Sequence, residues 1–218
     1  MKTIKFTEQM KTREEVIPSL LNSVNAKVGV ELGVFRGDFS KVLLEKWDGT
    51  LYLIDPWRPL SDEEYLDSSN HKNHQSAFSD TMNSIKGFES RAFMLRGLSE
   101  ELVDLFEDNS LDYVYIDANH AYDNVKADME MWYPKLKKGG VFSGHDYLNI
   151  DWSSERSEHV EHPLLDNGKD KLITPNWGNG PYTAGVFGVN PAVDEFCKKY
   201  KKDFNVTNEF WGTWYFTK

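Results

Sequence analysis

Disulfides cannot hold this chain together, because Cys197 is its only cysteine. It falls in PAVDEFCKKY, where Val193, Phe196, Cys197 and Tyr200 share one helical face. That spacing predicts a buried structural thiol rather than a nucleophile. No stretch approaches the ~18 consecutive apolar residues of a membrane span. The opening MKTIKFTEQMKTREEV lacks the apolar core of a signal peptide. The expectation is a soluble cytoplasmic protein. Positive charge is also in short supply: 25 Lys and Arg stand against 35 Asp and Glu, a formal net charge of -10. Nucleic acids and anionic membranes select for basic surfaces, so neither is an expected partner. The densest basic cluster, KKYKK at 198–202, reads as the solvated face of a helix. There is no internal repeat and no low-complexity tract.

What is present suits one packed domain over residues 1–218. Hydrophobic residues make up 39% and aromatics 14%, enough for a buried core. Thr12 and Glu15 suggest a capping box opening a helix that carries Ile17, Leu20, Leu21 and Val24, with Pro18 expected to kink or restart it. Then strand and helix alternate. KVGVEL (27–32), TLYLID (50–55), RAFMLRG (91–97), LDYVYID (111–117) and GGVFSGH (139–145) read as strands. The helices between them fall at 38–47, 74–88, 99–108 and 121–136. Phe78, Met82 and Ile85 are expected on the inner face of the second of these, and Val125, Met129, Trp132 and Leu136 on that of the fourth. Such alternation predicts an α/β fold of the Rossmann-like, doubly wound kind, with a mostly parallel sheet covered by helices on both faces. Residues 148–183 break the rhythm and read as an insertion or lid, with Trp152, Trp177, Tyr182, His159 and His162 among them. A strand at 183–189, a helix at 191–202 and a last strand from Asn208 follow.

In an open parallel sheet, ligands bind beyond the carboxyl ends of the strands where the strand order reverses. The stretch VGVELGVFRGDFS (28–40) lies at the first such end. It does not carry G-x-G-x-x-G, since Phe35, Asp38, Glu31 and Arg36 stand where further glycines would be needed. No G-K-S/T follows, so it is not a phosphate-binding P-loop either. What remains is Glu31, Gly33 and Gly37. LYLIDPW then ends the second strand with Asp55, 22 residues after Gly33. Further on, LDYVYIDANHAYDNVKADMEMWYPKLKKGGVFSGHDY joins the fourth strand to the fifth.

These three segments together resemble the class I S-adenosylmethionine-dependent methyltransferases, in the branch of small-molecule and sugar O-methyltransferases. The resemblance covers residues 28 to 147. It implies a seven-stranded sheet with an antiparallel last strand. It implies S-adenosylmethionine as cofactor, with Glu31 toward its ammonium end, Gly33 and Gly37 in the turn, and Asp55 on the ribose hydroxyls. Trp57 is expected against the adenine or in the core, Gly97, Leu98 and Ser99 border the adenine, and Asp117 lies near the cofactor.

Methyl transfer to a hydroxyl requires alignment of the methyl group with the acceptor and removal of a proton. Asp117, His120, His145 and Asp146 are the candidates, at the ends of adjacent strands. Two arrangements stay open. A divalent metal, magnesium or manganese, held by Asp117, Asp146 and His145 would lower the pKa of the acceptor hydroxyl. Alternatively, His145 or His120 acts as general base, although His120 also suits a purely structural role. The acceptor is expected to be a small molecule or glycan. A homo-oligomer, a different activity on the same scaffold, such as that of hydroxylase-like relatives, and a cofactor-binding module without chemistry remain open as well.

Overall fold

The computed structural model describes residues 12–61, 65, 73–148, 168–173 and 185–218. Its centre is a seven-stranded sheet built from β1 (Val28–Leu32), β2 (Thr50–Asp55), β3 (Ala92–Arg96), β4 (Leu111–Ile116), β5 (Leu136–Leu148), β8 (Asn205–Val206) and β9 (Trp211–Thr217). The order is β3-β2-β1-β4-β5-β9-β8. The first five strands are parallel neighbours. β9 then runs antiparallel to β5, and β8 antiparallel to β9. The chain steps outward in one direction from β1 and in the other from β4. The crevice between the ends of those two strands is therefore the topological switch point.

Among the described residues, six α-helices flank the sheet: α1 (Arg13–Ser23), α2 (Asp38–Lys46), α3 (His74–Ser84), α4 (Ser99–Leu102), α5 (Tyr122–Trp132) and α6 (Val189–Tyr200). They divide between its faces because strand side chains alternate. On β4, Tyr113 and Tyr115 join a core with Ile17, Leu43 and Ala77, from α1 to α3. Val114 and Ile116 point the other way, into a core with Met129, Trp132 and Phe196, from α5 and α6. Each large side chain so buried stabilises the fold by about 1.5–3 kcal/mol. Cys197 is buried in the second core and forms no disulfide, and Lys198 and Lys199 are solvated, both as expected.

Several expected details change. Thr12 is the N-cap of α1, but its side chain makes no capping bond, so there is no capping box. Pro18 neither ends nor restarts α1. The Glu14 carbonyl that would bond the missing N–H of Pro18 accepts from Lys46 Nζ instead, at 2.9 Å. Met82 is exposed at 47%, and the inner face of α3 is made by Ala77 and Thr81. The helix expected at 99–108 is one α turn followed by a 3-10 turn, Val103–Leu105. Of the strand expected at 183–189, the described part from Gly185 does not join the main sheet. β7 (Gly185–Phe187) pairs with β6 (Lys171–Ile173) in a separate two-stranded sheet, and the seventh place goes to β8. Most of the expected insertion, including Trp152, Trp177, Tyr182, His159 and His162, lies outside the described residues, as does His71.

Candidate active site

A cavity of about 680 Å³ opens at the switch point, beyond the ends of β1, β2, β3 and β4. Its floor begins with Gly33. The backbone there has φ +81°, and a Cβ would lie 2.0 Å from the carbonyl oxygen of Asp117. Glycine is therefore required less by a ligand than by the close approach of the β1 and β4 ends. Gly37, also at positive φ, caps α2 against Thr81 and Ser84 and is not on the cavity wall.

Glu31, the penultimate residue of β1, lines the cavity but is 2% exposed. Ser40 Oγ donates to its Oε2 at 2.5 Å. Burial pushes the Glu31 carboxyl up to about 8, despite that bond.

Asp55 lines the cavity and also braces the loop. Its Oδ2 accepts from the backbone N–H of Val34 at 3.0 Å and of Phe35 at 2.8 Å, and its Oδ1 from that of Trp57 at 2.6 Å. A carboxylate has about four acceptor positions, so most of this one is occupied by the loop. Asp55 braces the turn after β1, and any contact with a ribose has to share it. Of the two places open to Trp57, the structure gives it the core. It is 2% exposed, packs edge-on against Phe78, donates Nε1 to the Phe35 carbonyl, and is absent from the cavity wall.

Gly97, Leu98 and Ser99 line the end of the cavity beyond β3. There the structure adds Asp128, which motif reading missed. Asp128 is 5% exposed, and Ser99 Oγ donates to its Oδ1. Burial raises its carboxyl to about 7, opposed by Ser99 and helped by Glu100.

The opposite end holds the titratable cluster. A bulge interrupts the β5–β9 ladder between Gly144 and Tyr147, and Asp146 takes φ +59° within it. Bulges re-aim side chains. This one places the Asp146 carboxylate between two imidazoles, with Oδ2 2.8 Å from His120 Nε2 and Oδ1 3.2 Å from His145 Nδ1. Asp117 lies 3.7 Å from His120 Nε2 and 3.8 Å from His145 Nδ1. His120 stacks flat on Phe187 of β7, with centroids 5.0 Å apart. Burial works against positive charge on His120. Asp146, Tyr65 and Asp117 outweigh it and hold the imidazolium well above the usual histidine range. His145 is raised too, with burial opposed by Asp146 and Asp117. Asp146 stays far below the usual carboxylate range, because the two imidazoles overcome its burial. His120 is on the cavity wall and His145 is not, which reverses the order of preference the sequence suggested.

A second residue without a sequence motif completes this end. Arg13, at the start of α1, lies over the Phe39 ring and donates Nη1 to Tyr115 Oη at 3.1 Å and to Asp117 Oδ2 at 3.3 Å. Its own N–H donates to Glu209 Oε2, which ties the start of α1 to the segment before β9. One guanidinium thus sits beside Glu31 and Asp117 on the cavity wall, with the buried Tyr115 hydroxyl behind it.

The buried acids make stability depend on pH. Both Glu31 and Asp128 bind a proton more tightly in the folded chain than unfolded, where carboxyls titrate near 4. Their contribution is therefore greatest at acid pH and is lost as pH rises from about 4 toward 7 or 8. Asp128→Asn carries no such charge. Its stability in urea should rise relative to the wild type between pH 5 and pH 8, by at most about 1.4 kcal/mol per pH unit. A constant difference across that range would show that Asp128 is not buried as a carboxylate.

Comparison with known proteins places this geometry. Residues 30–147 match the sequence family described as methyltransferase domain. An uncharacterised protein of Acanthamoeba polyphaga mimivirus is 25% identical over 185 residues, covering 83% of this chain and 76% of that relative. An uncharacterised protein of Sinorhizobium fredii is 43% identical over 53 residues, which is 24% of this chain but only 6% of that much longer relative. Among solved structures, a Staphylococcus aureus protein assigned as a caffeoyl-CoA O-methyltransferase aligns with TM-score 0.63 at 15% identity, covering 99% of this chain and 86% of its own. An O-methyltransferase from Bacillus cereus in complex with S-adenosylhomocysteine aligns with TM-score 0.54 at 12% identity, covering 100% and 84%. Among the described residues, no helix is long and apolar enough to cross a membrane.

Proposed function

The chain belongs to the methyltransferase-domain family, and from that premise we propose that it transfers the methyl group of S-adenosylmethionine to a hydroxyl of a small molecule or sugar. One domain carries this chemistry. The observation behind the proposal is the cavity at the switch point, which has different chemistry at its two ends. One end has small and apolar groups with the carboxyls of Glu100 and Asp128, suited to a nucleoside. The other groups Arg13, Glu31 and Asp117, suited to a zwitterion: acids for the ammonium and the guanidinium for the carboxylate. Beyond these lies the His120–Asp146 pair, where an acceptor hydroxyl would lose its proton. The B. cereus structure, which holds S-adenosylhomocysteine, supports the same choice of cofactor.

The rim attracts positive charge. Asp117 draws Arg13, and Asp146 draws protons onto two histidines. A histidine that keeps its proton near neutrality is a poor general base. Asp117, His120 and Asp146 each offer a ligand atom within 4.8 Å of the others, a donor set of two oxygens and one nitrogen that fits a divalent cation. Such an ion would lower the pKa of an acceptor hydroxyl. The imidazole suits manganese, iron or zinc better than magnesium. His120 takes the ligand position that the sequence assigned to His145. In both arrangements Asp146 fixes the imidazole, and Phe187 excludes water from its face.

Thermal unfolding tests the cofactor first. S-adenosylhomocysteine at 100 times its dissociation constant should add about 2.7 kcal/mol and raise the midpoint by several degrees, while NAD should not. Repeating the scan with EDTA, magnesium or manganese tests the rim. Release of S-adenosylhomocysteine with a panel of catechols and sugars then finds the acceptor class. No shift at saturating S-adenosylhomocysteine would sink the proposal.

A further inference from the structure

His120 lies on the short connection between the end of β4 at Ile116 and the start of α5 at Tyr122. Connections are more mobile than the elements they join, whereas a proton-transfer group or a metal ligand has to keep one orientation. Residues of β6, β7 and their flanks hold this connection at three points. The Gly188 N–H donates to the His120 carbonyl at 2.8 Å. The Phe187 ring lies flat on the imidazole, with 5.0 Å between centroids and 4° between planes. Asp170 Oδ1 accepts from the Tyr122 N–H at 2.7 Å.

The third point has a local cause. The first N–H groups of a helix have no partner within it. Ala121, the N-cap residue of α5, carries no side-chain oxygen to accept from one. Asp170 supplies that oxygen from 48 positions along the chain, and a carboxylate suits the positive end of a helix. Asp170 is 6% exposed and is not on the cavity wall. Lys171 of β6 pairs with Phe187 of β7, so Asp170 and Gly188 are the next residues outward on two antiparallel strands. A Cβ at Gly188 would lie 2.2 Å from Asp170 Oδ1 and 2.6 Å from the Tyr122 nitrogen. The φ of Gly188 is -138°, which any residue adopts, so the closeness of the Asp170–Tyr122 bond is what demands glycine here.

We infer that Asp170 is a positioning residue: by capping α5 from the start of β6, it holds His120 between Phe187 and Asp146. It acts through His120 and touches neither cofactor nor acceptor. The inference rests on the reading that His120 serves the reaction at the rim.

NMR of the full chain with labelled histidine tests it, at about pH 5, where imidazoles are protonated and ring currents dominate the differences. The His120 Hε1 signal is identified by its loss in His120→Gln. In the wild type the Phe187 ring should displace it upfield. Asp170→Ala should lose that displacement, and Asp170→Asn, whose amide oxygen accepts the same bond, should restore it. Gly188→Ala, which crowds Asp170 without replacing it, should lose it as well. In Asp170→Ala, kcat should fall by up to about 10²-fold while calorimetry finds the affinity for S-adenosylhomocysteine unchanged. An undisplaced signal in the wild type, or a wild-type signal in Asp170→Ala and Gly188→Ala, overturns the assignment. Displacement lost equally in Asp170→Asn, or cofactor affinity lost together with turnover, would make the role merely structural and overturns it too. If the wild type turns over no acceptor, the reading of the rim fails, and the His120 signal still decides whether Asp170 holds the imidazole.

Discussion

His120→Gln should lower kcat by about 10²–10⁴-fold while leaving the affinity for S-adenosylhomocysteine nearly unchanged. That magnitude is typical when a positioned proton-transfer group is removed. The substitution keeps the volume and polarity of the side chain but removes the imidazole nitrogen that lies 2.8 Å from Asp146 Oδ2. It touches neither Glu31, nor the loop braced by Asp55, nor the Ser99–Asp128 end. A second readout separates the two arrangements of the rim. If His120 is a cation ligand, the manganese-dependent rise in midpoint should vanish in His120→Gln and persist in His145→Gln, because His145 is not on the cavity wall. If His120 acts only as a base, the wild-type rate should be indifferent to EDTA. Wild-type turnover in His120→Gln would remove this residue from the chemistry in either arrangement.

Gly33→Ala should destabilise the fold by about 3 kcal/mol or more and abolish cofactor binding. Two penalties combine. A backbone at φ +81° costs a residue with a Cβ about 1 kcal/mol or more. In addition, the new methyl would lie 2.0 Å from the Asp117 carbonyl oxygen and 2.7 Å from the Ala118 Cα, both backbone atoms that cannot swing aside. Relief requires parting β1 from β4 at the floor of the cavity, where the Asp117 N–H bonds the Leu32 carbonyl at 2.8 Å. Gly87→Ala is the control. Its φ is +91°, but nothing lies within 4 Å of the new Cβ, so only the conformational cost of about 1 kcal/mol should appear. Denaturation in urea of both variants separates the two effects. Equal losses would mean that the β1–β4 approach is looser than the structure shows.

How much of this was legible in the sequence varied with the reach of the interaction involved. The alternation of strand and helix fixed the class of fold, because hydrophobic periodicity is set by the local geometry of each element. The parallel core strands fell where their apolar runs and turn residues placed them. Gly33, Asp55 and Asp117 were recognisable from spacing, because each sits at a strand end next to a turn; Asp146 lies within β5, at its bulge. One signal for a missed residue was present. Asp128 occupies the same helical stripe as Val125, Met129 and Trp132, and a carboxyl inside an apolar stripe marks either a buried network or a ligand contact. Arg13 carried no such mark. It reaches Asp117 across 104 positions of chain, and only the packing of α1 against α2 and the sheet brings them together.

The sequence by itself determined the elements, the parallel core and the strand ends at which chemistry would gather. Tertiary structure decided what each of those residues faces. Asp55 was drawn onto the backbone N–H groups of Val34 and Phe35 in the Gly33 loop and of Trp57 in its own turn. Trp57 went to the core, because its turn folds it over Phe35. His120 came forward of His145, because a bulge that no local pattern announces re-aimed Asp146. Residues 185–187 left the main sheet, because β9 claimed the edge of β5. Each of these outcomes is a competition among partners distant in the chain, and such competitions are settled only when all the partners are in place.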